Sequence, residues 1–204
     1  MQAQQTAHDE NDLELQDLPA VEEPFVAPDL TPLDKTVTGA HGASGSAGHA
    51  LFLYNLVWQT QAQLAVEIGL GPGDSTSIFL LALKRTGGRL VSIDIHAQPV
   101  AERKIDALGL RDRWTFIEKP SEAAARQWRS DRPIDVLLID GKHSYNQVKL
   151  EYSLFRPLMR KGGFILFHDS ETIRGVRKFT QELRRCDGGV QFPYANGLFV
   201  VRVE

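Results

Sequence analysis

Short Val/Ile/Leu runs recur along most of this chain, and each is followed by a stretch with helical spacing. Strands are predicted at Leu64–Ile68, Arg89–Ile93, Trp114–Ile117, Ile134–Ile139 and Phe164–Phe167. They lead in turn into helices at Thr76–Leu83, Pro99–Leu108, Glu122–Trp128, Tyr145–Leu158 and Gly175–Leu183. A further helix is predicted over Ala50–Thr60. Alternation of this kind implies βαβ units and a mostly parallel sheet covered on both faces. The last segment breaks the pattern. Val190–Pro193 and Leu198–Val203 flank Tyr194-Ala195-Asn196-Gly197, and Asn-Gly is a strong hairpin signal. The prediction is therefore an α/β, doubly wound sheet of seven strands that ends in an antiparallel β-hairpin.

Ligands of such sheets bind at the carboxyl ends of the strands. The polar residues expected there are unusual as a group: Glu67, Asp94, His96, Lys119, Ser121, Asp140, Lys142, His143, His168 and Asp169. The first strand runs into Gly69-Leu70-Gly71-Pro72-Gly73, a turn where bare backbone lets a ligand come close. A dinucleotide site spaces its glycines G-x-G-x-x-G. Here the spacing is G-x-G-x-G, Pro72 removes an amide donor and Asp74 adds negative charge near where a pyrophosphate would sit. The loop thus suits a cationic nucleoside without phosphate, such as S-adenosylmethionine, better than NAD. Acidic residues suit its sulfonium, its amino group and its ribose hydroxyls.

Composition narrows the picture. A chain of 204 residues is enough for one α/β domain and its core. The N-terminal segment is different in kind: residues 1–30 hold eight acids and no Lys or Arg. With −3 overall and −8 in that stretch, the other residues carry +5. We read 1–37 as a flexible acidic tail and 38–204 as the domain, which opens with a Gly/Ser-rich loop holding His41 and His49. The net charge of −3 gives no reason to expect a nucleic-acid partner. No apolar run reaches the roughly 18 residues of a membrane span, and no basic-then-apolar leader is evident. A single cysteine, Cys186, forbids an internal disulfide and fits a reducing compartment. The expectation is a cytoplasmic protein, free or homo-oligomeric, acting on a small molecule.

Three motifs together resemble a known family. They are Glu67-x-Gly69-x-Gly71, Asp140-Gly141-x-His143-x-Tyr145, and Gly162-Gly163-Phe164-Ile165-Leu166-Phe167-His168-Asp169. Over roughly 45–204 the chain is similar to class I S-adenosylmethionine-dependent methyltransferases, with their Rossmann-like fold. More narrowly it resembles the small-molecule O-methyltransferase branch that includes macrocin O-methyltransferase and cephalosporin hydroxylase-like proteins. The resemblance implies that Glu67, Gly69, Gly71 and Ser75 line the methionine side of the cofactor, with Asp140 beside them. It implies that Asp94 takes the ribose hydroxyls. It also implies that Ser121 lies by the adenine, although relatives place an acid there and this chain has its acid one position on, at Glu122.

The same resemblance implies a divalent cation, Mg or Mn, on Asp140, His168 and Asp169, with His143 as the base that takes the acceptor's proton. This chain has His168 where relatives have Glu, and a nitrogen ligand turns a site from Mg toward Mn, Fe or Zn. Two other readings stay open. One is a metal-dependent hydroxylase or hydrolase using Asp140, His143, His168 and Asp169. The other is a non-catalytic binding module on a methyltransferase fold. The methyl acceptor is expected to be a small molecule, and no residue identifies it.

Overall fold

A computed structural model describes residues 48–204. The predicted acidic tail, His41 and most of the Gly/Ser-rich loop fall outside the described residues. The elements follow in order: α1 (Ala50–Gln59), β1 (Leu64–Ile68), α2 (Asp74–Thr86), β2 (Arg89–Asp94), α3 (Pro99–Leu108), β3 (Trp114–Glu118), α4 (Ser121–Arg126), β4 (Ile134–Ile139), α5 (Tyr145–Phe155), β5 (Met159–His168), α6 (Arg174–Asp187), β6 (Val190–Phe192) and β7 (Leu198–Arg202).

The seven strands form one sheet in the order β3-β2-β1-β4-β5-β7-β6. Strands β1 to β5 pair in parallel. β7 pairs antiparallel with both β5 and β6, so the predicted hairpin is the closing edge. Every residue of β1 and β4 is buried, as expected for strands covered on both faces. One face carries Leu53 and Val57 of α1, Ile78 and Leu83 of α2, and Ala101 and Ile105 of α3. The other carries Ala124 of α4, Val148 and Phe155 of α5, and Val176 and Phe179 of α6.

Several boundaries differ from the sequence reading, and two of the differences have a plain physical reason. Helix α5 ends at Phe155 and a short 3-10 turn, Arg156–Leu158, follows, because Pro157 cannot continue the α-helical bonding. β5 starts at Met159, five residues before the predicted strand, and its pairing with β4 shifts register between Ile134 and Val136. Arg160 in that added segment pairs with Asp135, whose carboxylate also accepts the Gln63 and Leu64 amides. Long-range polar partners hold a stretch whose Arg-Lys-Gly-Gly sequence does not read as strand.

The chain winds from β1 outward to β3, then returns to β4 on the other side of β1. The crevice of such a sheet lies at this reversal, past the carboxyl ends of β1 and β4.

Candidate active site

A cavity of about 600 Å³ opens at that crevice. Its wall includes Gly69 and Gly71 after β1, Asp94 at the end of β2, Ser121 at the start of α4, Asp140 after β4, and Glu151 of α5. Two glycines of the loop do different things. A side chain on Gly69 would run into the Asp140 carbonyl oxygen, and its φ of +93° is a backbone state that side chains disfavour. Gly71 has nothing within 4 Å of where a side chain would begin, so that surface is open for a ligand to press on. Asp94 accepts the Leu70 amide at 2.9 Å and the His96 amide at 3.3 Å, which ties the glycine loop to β2.

Glu67 and Ser75, expected on the methionine side, do not line this cavity. Glu67 has no exposed surface and receives hydroxyl hydrogen bonds from Ser75 (2.9 Å), Thr76 (2.5 Å) and Ser92 (2.5 Å). Ser92 in turn accepts the Trp114 indole N–H at 2.7 Å. Burial pushes the Glu67 carboxyl up to about 7, against the pull of the three hydroxyls. This network fixes the start of α2 beneath the glycine loop. Asp74, at the first turn of α2, pairs with Lys104, which offsets the negative charge that the sequence reading set against a phosphate.

Beyond Asp140 the polar groups close on one another. Asp140 Oδ1 faces His143 Nε2 at 3.2 Å and His168 Nδ1 at 3.1 Å. Asp169 completes the ring, with Oδ2 3.3 Å from His143 Nε2 and Oδ1 3.3 Å from His168 Nδ1. Asp169 sits at φ +59°, a left-handed conformation that Asp tolerates better than most residues and that marks functional turns. An ionised carboxylate only accepts, so Nε2 of His143 is the donor nitrogen and Nδ1 is left to take a proton. Its hydrogen bond with Asp140 holds the His143 imidazole above its ordinary value, against the effect of burial. Burial alone would raise Asp140, but the hydrogen bonds from the two histidines prevail and keep it below the usual carboxylate range.

This arrangement offers a divalent ion a place. One ligand atom each from Asp140, His143 and Asp169 lies within 4.8 Å of the others, and buried Asp169 Oδ1, though 3.3 Å from His168 Nδ1, forms no hydrogen bond among the described residues. Two carboxylate oxygens and one imidazole suit Mn, Fe or Zn better than Mg. His143 occupies the place in this set that the sequence reading gave to His168, which is buried and bonded to Asp140.

The model of a methyltransferase domain family matches residues 66–170 of this chain. The chain belongs to that family. Rhamnosyl O-methyltransferase of Mycobacterium leprae is 27% identical over 120 residues, 55% of this chain and 50% of that protein. A Sinorhizobium fredii protein is 34% identical over 71 residues, 33% of this chain and 8% of its own length. The chain thus spans half or less of these curated relatives. An O-methyltransferase of Bacillus cereus, solved in complex with SAH, superposes with a TM-score of 0.69 at 21% identity, over 88% of this chain and 94% of that one. The Streptomyces achromogenes O-methyltransferase TomG, solved in complex with SAM, gives 0.67 at 18% identity, over 88% and 92%. The likeness to solved structures extends the shared fold beyond the family match.

The methyltransferase match contains every site residue the sequence singled out, from Glu67 to Asp169. It leaves out His49 and Tyr194, which the fold brings to the same rim. The sequence sets His49 in a Gly/Ser-rich loop; in the fold it is 1% exposed and seated just before α1. Its Nε2 donates to the Ala195 carbonyl at 3.2 Å, across 146 residues of chain. Its ring lies 5.8 Å from His168 and 4.7 Å from Tyr194. Burial and the neighbouring His168 pull His49 below its ordinary value, which favours the uncharged imidazole. No local pattern signals this, because its partners belong to β5 and the hairpin. Tyr145, the last residue of the Asp-Gly-x-His-x-Tyr motif, does structural work: its hydroxyl donates to Glu182 at 2.6 Å and joins α5 to α6. Glu151 is a second residue missed. Its signal was its position, since Val148 and Phe155 flank it at i−3 and i+4 on the buried face of α5.

Proposed function

We propose that this methyltransferase moves a methyl group from S-adenosylmethionine to a hydroxyl of a small molecule, with His143 receiving the hydroxyl's proton. The observation that carries the reading is the double role of Asp140, which is part of the cavity wall and also bonds His143 and His168. Donor and base are thereby held one residue apart. In this reading Asp94 accepts the ribose hydroxyls, and Gly69 and Gly71 let the cofactor's methionine end lie against the main chain. The Asp140–Asp169 pair orients His143 so that Nδ1 meets the acceptor oxygen. The bound cofactor supplies a methyl on a sulfonium. Tyr194, half exposed on the hairpin beside His49, is a surface for the acceptor's ring.

One observation favours a second form of the mechanism, the compact donor set of Asp140, His143 and Asp169. A divalent ion held there would lower the acceptor hydroxyl's pKa. His143 would then serve as a ligand and not as the base. Labelled methyl transfer to a panel of sugars and phenols tests both forms. His143→Ala should lower turnover about 10²-fold or more with cofactor affinity unchanged. Full turnover in His143→Ala would remove the residue from the mechanism. Turnover abolished by chelator and restored by Mn would select the ion-assisted form.

A further inference from the structure

A further acid of the cavity wall lies away from the glycine loop. Glu151 lines the cavity, is 2% exposed, and lies on α5, outside the motifs that mark the site. Only half of its carboxylate is satisfied. Oε1 receives the Ser121 hydroxyl at 2.7 Å and the Gln147 amide at 3.0 Å, and Gln147 also donates to Ser121 at 3.1 Å. Oε2 is buried and has no hydrogen-bond partner among the described residues. Leaving a buried acceptor unpaired is costly, and more so for a charged one. Burial raises the Glu151 carboxyl above its ordinary range in spite of the two donors on Oε1. A donor supplied by a ligand would relieve that cost.

The position says which part of a ligand would supply it. Asp94 closes β2, and Ser121 opens α4 after β3. Asp94, Ser121 and Glu151 line the same cavity, and Ser121 is hydrogen-bonded to Glu151, so a nucleoside whose ribose meets Asp94 would have its base turned to this pair. Resting on the reading of the cavity as an adenosyl site, we infer that Glu151 is the base-reading residue, its Oε2 accepting a hydrogen bond from the exocyclic amine of adenine. Ser121 and Gln147 hold the carboxylate in place by occupying Oε1. The 6-oxo base of an inosyl ligand would set an acceptor against this oxygen, so the site selects a 6-amino purine.

Calorimetry with S-adenosylhomocysteine and its deaminated counterpart, S-inosylhomocysteine, tests this. Wild-type protein should prefer the adenosyl ligand by roughly 30-fold or more, since a site built around one hydrogen bond rejects the analogue that leaves it unpaired. In Glu151→Gln the amide can turn its N–H₂ toward a 6-oxo group, and the preference should shrink to about threefold or less. Glu151→Asp, which withdraws the oxygen by one methylene, should lose the preference as well and serves if the amide variant does not fold. Equal binding of the two ligands by wild-type protein would overturn the inference while leaving the adenosyl reading intact. So would a preference that survives in the variants. Failure of wild-type protein to bind the adenosyl ligand would overturn both.

Discussion

The two sides of Asp140 are built on different principles. Toward β1 and β2 the cavity is open: Gly69 and Gly71 give it bare main chain, Ile93 and Ile95 give it apolar surface, and Asp94 stands half-buried at its edge. Toward β5 the side chains of His143, His168 and Asp169 close around Asp140 and take up one another's polar atoms. An open, backbone-lined cavity recognises a ligand by shape and a few acceptors. A closed ring of two acids and two imidazoles holds protons in a defined place. The two sides meet where Gly69 packs on the Asp140 carbonyl.

That contact gives the largest expected effect. In Gly69→Ala a side chain collides with the Asp140 carbonyl at a positive φ, so both sides should fail together. Stability should fall by about 3 kcal/mol or more in urea unfolding, and cofactor binding should be lost. A variant that is stable yet fails to bind would show that the two sides are less coupled than the packing implies.

The pH dependence separates the sides more finely. Glu67, under the cavity, is held at about 7 by burial. Its raised value means that the folded chain binds an extra proton between the ordinary carboxylate range and pH 7. Stability should therefore fall as pH rises through that window, by on the order of 3 kcal/mol, and Glu67→Gln should flatten the curve. A flat wild-type curve would rule this out. His143 also titrates with its value raised, and its contribution is full below its ordinary value and fades as pH rises through the folded one. Its effect on rate has the opposite sign. As a base it must be neutral, so kcat/KM should rise with pH on a limb above 6.5, the limb His143→Ala should lack.

Tyr194 should give the smallest effect. Tyr194→Ala should raise the acceptor's KM several-fold, about 1 kcal/mol of stacking, and leave S-adenosylhomocysteine affinity unchanged. An equal effect on both ligands would place Tyr194 on the cofactor side instead.

The same division governs what could be read from the sequence. The cavity side was legible because its parts are local: an apolar run, a glycine loop with Pro72, and an acid at the next strand's end. Even there the sequence did not show that Glu67 is sealed beneath the loop, because Ser92 and Trp114 complete its network from other strands. The residues of the closed side were visible one by one as Asp140, His143, His168 and Asp169. Their arrangement was not, since it depends on β4 and β5 lying side by side and on Asp169 taking a left-handed conformation. His49 was hidden most completely, as its partners lie on the hairpin at the far end of the chain. The mostly parallel sheet and its closing hairpin followed from period and turn chemistry. The early start of β5 did not, because a half-buried ion pair to Asp135 holds it there.

The adenosyl site itself is tested most directly by titrating S-adenosylhomocysteine into wild-type protein and Asp94→Ala in a calorimeter. The account predicts micromolar binding to wild type and a loss of roughly tenfold or more in the variant, the worth of charge-assisted hydrogen bonds to the ribose. No binding to wild type, or equal binding to both proteins, would contradict it.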